Sequence, residues 1–229
     1  MTEMIEAVVL DLDGTLVDTP QAIAAITADI LAELGRPAPP ERIRPLVGRP
    51  LDSNFAELLD VPADHADVAT AIGLYKQRFG KHVKEHGPDL LYPGVLTGLR
   101  TLRERGLPLA IATSKVQEAA VKTVTATGIA DLFDAVAGHD SVANGKPAPD
   151  LALHAAELLG VPPDICVNIG DGPGDMAMGR AAGMLNIAVT YGVGSADELR
   201  AAGADLVADS FTEAVDLVVQ RLHGSVVAR

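Results

Sequence analysis

The sequence predicts an α/β protein with a doubly wound parallel sheet and an all-helical insertion near the start of the chain. Short apolar segments alternate with amphipathic helical segments from residue 88 onward. Between 17 and 87 no segment has the pattern of a strand. Because alternating strands and helices favour a parallel sheet with helices on both faces, we expect a core domain at 1–16 and 88–229. Residues 17–87 are then a separate helical domain.

The first predicted strand ends in two carboxylates. Residues 7–12 are almost purely apolar and branched, which is typical of a strand buried on both faces. Asp11 and Asp13 lie at its end, and Gly14 follows, where the chain can turn sharply. Paired acids at the carboxyl end of a strand indicate a site of chemistry in an α/β protein.

The insertion carries apolar residues at helical spacing. Basic residues gather near its end, and we interpret them as a solvated helix face. Helices are predicted at 20–34, 41–47, 51–59 and 64–83, and the basic residues are Lys76, Arg78, Lys81, His82, Lys84 and His86.

From residue 92 the chain alternates between helical and strand patterns. Proline at the start or glycine at the end marks several of the helices. The strands are predicted at 107–113, 135–138, 165–169, 185–189 and 205–207, and the helices at 93–105, 115–127, 149–159, 174–182, 196–202 and 212–222.

Polar side chains follow two more of the predicted strands. Thr113 and Ser114 follow one strand. Asp171 and Asp175 follow another, and Lys146 lies shortly before a helix. Because the carboxyl ends of parallel strands meet at one edge of the sheet, we expect these side chains to lie beside the first two aspartates.

Four carboxylates at one edge need a compensating charge. Two of them repel each other by about 4 kcal/mol at a separation of roughly 4 Å and an effective dielectric near 20. One lysine cannot offset such a cluster, whereas a divalent cation can, and a site made of oxygen ligands suits Mg²⁺. The sequence therefore predicts Mg²⁺ as the cofactor.

Composition narrows the possible partners. The net charge of −13 argues against nucleic acid and against an anionic membrane. No apolar run approaches the ~18 residues of a membrane helix, and the first residues lack the pattern of a secretory signal. The single cysteine, Cys166, is expected in the core and favours a reducing compartment, the cytoplasm. The choice between monomer and homodimer stays open.

These motifs resemble those of the haloacid dehalogenase superfamily. Residues 11–15 match its phosphoaspartate signature, DxDGT, and Thr113 matches the Ser/Thr of its second motif. Lys146 matches the lysine of the third motif, and the stretch from Asp171 to Asp175 matches the acidic fourth motif, GDxxxD. The order and spacing resemble the phosphatase branch, which implies a Rossmann-like core and a helical cap domain at 17–87. The runs at 92–95, 112–115 and 188–192 are similar to the phosphoglycolate phosphatases.

The resemblance implies a phosphoric monoester hydrolase with defined roles for the motif residues. Asp11 would attack phosphorus and form an aspartyl-phosphate, while Asp13 would donate a proton and later accept one. Asp13 would also offer its carbonyl to the metal, and Asp175 would act as a direct or an indirect ligand. The implied phosphate-binding residues are Gly14, Thr113, Ser114 and Lys146, and the implied Mg²⁺ residues are Asp11, Asp13, Asp171 and Asp175.

The sequence constrains the identity of the substrate less than it constrains the type of reaction. Arg49, in a loop between two short helices of the insertion, is the candidate for substrate contact. Phosphoglycolate is the first substrate by resemblance, and a sugar phosphate, a nucleoside monophosphate or a biosynthetic intermediate is the alternative. A phosphosugar mutase is disfavoured because residues 19–24 contain no histidine, which related mutases carry there. Intact Asp11 and Asp13 disfavour a non-catalytic binding protein.

Overall fold

The computed structural model describes residues 5–222. Six strands form one sheet in which every pair of neighbours is parallel. The strands are β1 (Ala7–Leu10), β2 (Leu109–Ala112), β3 (Ala135–Ala137), β4 (Cys166–Gly170), β5 (Leu185–Val189) and β6 (Leu206–Ala208). Their order across the sheet is β3-β2-β1-β4-β5-β6.

Helices follow the strands and cover both faces of the sheet. The α-helices of the described residues are α1 (Pro20–Glu33), α2 (Pro40–Ile43), α3 (Leu51–Leu59), α4 (Ala66–His86), α5 (Val95–Glu104), α6 (Gln117–Ala126), α7 (Asp150–Leu159), α8 (Pro173–Ala181), α9 (Ala196–Ala202) and α10 (Phe211–Leu222).

Strand β1 lies at the centre of the sheet and is completely buried. Val8 and Leu10 pack into the larger apolar cluster, whereas Ala7 and Val9 pack into a second cluster on the opposite face, which includes residues of α7. The predicted doubly wound α/β fold is therefore confirmed. The chain places β2 and β3 on one side of β1 and β4 to β6 on the other, so the order reverses between β1 and β4. Ligands of such sheets bind in the crevice at this reversal.

The insertion between β1 and α5 is helical, as predicted. Among the described residues from 17 to 87 there is no strand, only isolated bridges of Val17 with Asp13 and Leu91. The two connections to the sheet run side by side, because the amide of Asp18 donates to the carbonyl of Leu90 over 2.7 Å. Aromatic contacts join α3 to α4: the Phe55 and Tyr75 rings meet edge to face, with centroids 6.3 Å apart.

Several predicted boundaries differ from the structure by a few residues, and two of these differences have a local reason. β1 ends at Leu10, before the predicted end at residue 12, because the carbonyl of Leu12 already accepts hydrogen bonds from the amides of Leu16 and Val17. α4 continues to His86, beyond the predicted end at residue 83, and stops at Gly87, whose φ of 47° lies in the left-handed region. No helix in residues 5–222 combines the length and the apolar character needed to span a membrane.

Candidate active site

The turn after β1 carries the first aspartates to the edge of the sheet where the strand order reverses. Gly14 makes this turn with a φ of 88°, a backbone conformation that side chains disfavour. A Cβ atom at this position would lie 2.2 Å from Oδ2 of Asp171, which follows β4. The position therefore needs glycine both for its backbone angle and for the close approach of the two strand ends.

Three carboxylates meet at this edge. Asp11, Asp171 and Asp175 each offer one oxygen, and these oxygens all lie within 4.8 Å of one another. Asp171 is held on both sides: the Thr15 hydroxyl donates to Oδ1 over 2.8 Å, and the Val193 amide donates to Oδ2 over 2.9 Å. The three predicted acids are thus brought together by β1, β4 and the start of α8.

Lys146 is the cation that reaches this cluster. Its Nζ lies 2.5 Å from Oδ1 of Asp11 and 2.5 Å from Oδ1 of Asp175. The amide of Gly172 fixes the second oxygen of Asp175 over 2.8 Å. One lysine therefore bridges two of three buried carboxylates and leaves the cluster with excess negative charge.

Burial and the neighbouring charges shift the pKa values of Asp11, Asp171 and Lys146. Burial raises the pKa of Asp11 to about 7, although Lys146 opposes the shift. Burial and the neighbouring Asp175 and Asp11 raise the pKa of Asp171 well above its ordinary value. Burial acts to lower the pKa of Lys146, but the ion pairs with Asp11 and Asp175 outweigh it and the pKa is raised. A cluster of carboxylate oxygens that resists ionisation fits a hard divalent cation.

The Asp13 carboxylate lies outside this acidic cluster. The hydroxyl of Thr19 donates to its Oδ1 over 2.5 Å, and the Nζ of Lys115 lies 2.7 Å from its Oδ2. The same ammonium group lies 4.1 Å from the centroid of the Phe79 ring in α4. Lys115 therefore connects the second aspartate of the motif to the helical insertion.

Sequence analysis assigned no site role to Thr15, Thr19 or Lys115. The signal for Lys115 is its position directly after Thr113 and Ser114 at a strand end. Thr15 belongs to the quoted motif, but nothing in the sequence pairs it with Asp171, which is 156 residues away.

Thr113 and Ser114 follow β2 at the same edge of the sheet. Thr113 is buried, its amide donates to the Ala137 carbonyl over 3.1 Å, and its hydroxyl accepts from the Lys115 amide over 3.3 Å. Both residues line the cavity that Asp11 and Asp13 also reach. Their placement suits contact with a phosphoryl group bound at Asp11.

A cavity of about 580 Å³ lies between the insertion and this edge of the sheet. Residues of α3 and α4 form one wall, and α6 with the segment after β2 forms the other. Arg49 lines the cavity, but its side chain is 55% exposed and its guanidinium lies 3.4 Å from Oε2 of Glu57. Lys146, Asp171 and Asp175 lie behind the cavity, outside its lining.

Residues 8–189 match the family model described as haloacid dehalogenase-like hydrolase. The match runs from β1 through β5 and includes the insertion and all four motifs. The chain therefore belongs to the haloacid dehalogenase-like hydrolases.

Curated relatives extend over nearly the whole chain. A probable phosphatase, IndB of Dickeya dadantii, is 39% identical over 209 residues, which are 91% of each chain. A phosphoglycolate phosphatase of Thiobacillus denitrificans is 34% identical over 221 residues, 94% of this chain and 96% of the relative. The chain is a phosphatase of this family, and such phosphatases act on small phosphorylated substrates.

A solved structure supports the fold. The β-phosphoglucomutase of Clostridium difficile superposes with a TM-score of 0.84 over 96% of this chain and 98% of its own. At 21% identity this similarity concerns the architecture alone. It shows that the sheet and the helical insertion are arranged here as in an experimentally determined protein.

Proposed function

We propose that this phosphatase is a Mg²⁺-dependent phosphomonoesterase that works through an aspartyl-phosphate on Asp11. The observation that carries the proposal is the position of Asp11. Among the described residues it is the one member of the acidic cluster that also lines the cavity. A nucleophile needs this placement, since it must contact the substrate on one side and the charge-stabilising groups on the other.

The metal would be held by the side chains of Asp11, Asp171 and Asp175, with the Asp13 carbonyl as a further ligand. A bound Mg²⁺ would neutralise the carboxylates and polarise the phosphoryl oxygens. We assign residues 1–16 and 88–229 to the core domain and residues 17–87 to the cap domain. The buried, unpaired Cys166 favours a cytoplasmic location for the enzyme.

In the first step, an oxygen of Asp11 bonds to phosphorus while the ester P–O bond breaks. Asp13 donates a proton to the departing oxygen, which leaves as an alcohol. Lys146 holds Asp11 in place and offers its charge to the phosphoryl oxygens. Thr113, Ser114 and the backbone at Gly14 supply hydrogen bonds to the same group.

In the second step, Asp13 acts as the base. It takes a proton from a water molecule, which attacks phosphorus and releases inorganic phosphate from Asp11. The contacts with Thr19 and Lys115 fix the orientation of the Asp13 carboxylate.

The names of the relatives make 2-phosphoglycolate the first ester to test. A sugar phosphate, a nucleoside monophosphate or a biosynthetic intermediate is the alternative. These esters share the phosphoryl group and the two steps, and they differ only in the alcohol that the cavity must accept.

The proposal is tested by inorganic phosphate release from a panel of phosphate esters, with Mg²⁺ and with excess chelator. Asp11→Asn keeps the shape of the side chain and removes the nucleophile, so we expect kcat to fall by on the order of 10⁴-fold or more. Acid-quenched wild-type enzyme should carry a phosphate on Asp11 by peptide mass spectrometry. Asp131→Asn, at an exposed acid, is the matched control. Full activity in chelator or in Asp11→Asn would refute the proposal.

A further inference from the structure

The cavity is larger than a two-carbon ester requires. Its volume of about 580 Å³ falls within the roughly 300–1,000 Å³ of pockets that enclose drug-sized ligands. Its inner wall is apolar and is contributed by both the insertion and the core. The wall includes Ile23, Ile72, Tyr75, Phe79, Val83 and Val116.

The buried cations near the phosphoryl position already have carboxylate partners. Lys115 is paired with Asp13 at 2.7 Å, and Lys146 is paired with Asp11 and Asp175. Of the other basic residues that line the cavity, His139 is half-buried, and four are exposed: Arg49, Lys76, Lys84 and Lys122. A carboxylate carried close to the phosphate, as in phosphoglycolate, would therefore have to compete with buried aspartates for these two lysines.

A polar group in the wall lacks a partner. Asn54 is 8% exposed and lines the cavity. Its amide nitrogen donates to the carbonyls of Leu46 and Arg49 over 2.7 and 3.3 Å, which fixes the orientation of the amide. Its Oδ1 is buried and has no hydrogen-bond partner among the described residues. Because buried acceptors are normally paired, this oxygen indicates a hydrogen-bond donor on the ligand.

We infer that the leaving group is a large uncharged alcohol that presents an apolar or aromatic face and a hydrogen-bond donor. A nucleoside has this chemistry, and a two-carbon acid does not. The inference rests on the proposed function, because it identifies the alcohol released when Asp11 takes the phosphoryl group. It predicts a preference opposite to the one suggested by the names of several relatives.

The test compares kcat/KM for uridine 5′-monophosphate, ribose 5-phosphate and 2-phosphoglycolate on the wild-type enzyme. We expect the nucleotide to exceed 2-phosphoglycolate by about 100-fold and ribose 5-phosphate by about 10-fold, because the buried ring adds binding energy. A preference for 2-phosphoglycolate, or equal values for the nucleotide and the sugar phosphate, would overturn the inference and leave the phosphatase chemistry standing. No turnover of any ester would overturn the proposed function together with the inference.

Ile72→Arg places a cation in the apolar wall. The ratio of kcat/KM for the nucleotide to that for 2-phosphoglycolate should fall by about 10-fold or more, because the new charge favours the acid and disfavours the ring. This ratio does not depend on the fraction of folded enzyme, so partial unfolding cannot mimic the result. Thr70→Arg, at an exposed position of α4 outside the cavity lining, is the matched control and should leave the ratio unchanged. An unchanged ratio in Ile72→Arg would contradict the inference.

Discussion

The polar groups of the acidic cluster at the sheet edge and those of the cavity wall formed by the insertion differ in how completely they are paired with other protein groups. At the edge, the side chains of Asp171 and Asp175 each have hydrogen-bond or ion-pair partners within 2.9 Å. In the wall, Oδ1 of Asn54 has no partner among the described residues, and Arg49 is mostly exposed. The polar groups at the edge therefore have their partners before the substrate arrives, whereas the Asn54 oxygen in the wall would gain its partner from the substrate.

This difference separates the residues that act on the phosphoryl group from the residues that select the alcohol. A side chain at the edge contacts the groups that act on every phosphate ester, so its loss should reduce kcat whatever the alcohol is. A side chain in the wall contacts only the alcohol, so its loss should change KM and the ranking of substrates. Substitutions at the edge and in the wall should therefore differ in which kinetic constant they change.

Lys146→Met removes the cation that bridges Asp11 and Asp175 and keeps the length of the side chain. We expect kcat to fall by on the order of 10³-fold, because the phosphoryl oxygens lose a buried positive charge. The loss should be similar for all esters that the enzyme hydrolyses. Phosphate release under saturating Mg²⁺ measures it, with Lys81→Met as the control, since that lysine is 74% exposed and lies outside the cavity lining. A loss confined to one ester would contradict the separation of edge and wall.

The sequence was sufficient to predict the acidic edge because the order of the strands in the sheet brings residues from different motifs close together. Asp11 and Asp171 follow neighbouring parallel strands, so their meeting requires only the fold that hydrophobic periodicity predicts. The helices predicted at 51–59 and 196–202 begin and end at the same residues as α3 and α9. These segments are bounded by local signals, which a sequence shows directly.

The wall was not predictable in the same way. Its residues come from α1, α3, α4 and the loop that carries Arg49, and their convergence depends on how the insertion is seated over the sheet rather than on any motif. The contact of Lys115 with Phe79 is a result of that seating. Hydrogen bonds such as Thr15 to Asp171 join residues that no local pattern relates.

The stability of the metal-free enzyme should decrease as the pH rises. The pKa of Asp11 is about 7 in the folded chain against 3.8 ordinarily, so the folded state binds its proton more tightly than the unfolded chain. This contribution to the free energy of unfolding is fully present below about pH 4 and is lost as the pH rises through 7. At about 1.4 kcal/mol per pKa unit, the loss is roughly 4 kcal/mol at most.

Urea unfolding in chelator and in Mg²⁺ checks this expectation. Because Mg²⁺ would compensate the ionised carboxylates, the added stability should be larger at about pH 8 than at about pH 5. In Asp11→Asn the pH dependence of the metal-free protein should become shallower. Equal stabilisation by Mg²⁺ at both pH values would show that the cluster does not bind the ion through ionised carboxylates.

Thr15→Val tests whether the support of Asp171 matters for the metal. The substitution keeps the shape of a fully buried side chain and removes the hydroxyl that donates to Oδ1 over 2.8 Å. Loss of such a supporting hydrogen bond typically weakens metal binding by about 10- to 100-fold. The Mg²⁺ concentration for half-maximal phosphate release should rise accordingly, while kcat at saturating Mg²⁺ changes less. Thr125→Val, at an exposed threonine of α6, is the control.

Arg49→Gln tests the wall with the smallest expected effect. The guanidinium lines the cavity, yet it is 55% exposed and lies 3.4 Å from Glu57, so solvent screens its charge and a carboxylate already attracts it. We expect KM to change by less than about 10-fold with kcat unaltered, because contact with the alcohol is made equally in the ground and transition states. Steady-state kinetics on the preferred ester measure both constants. A fall in kcat of about 100-fold would instead place Arg49 with the groups that stabilise the transition state. The loop that carries Arg49 would then belong to the edge rather than to the wall.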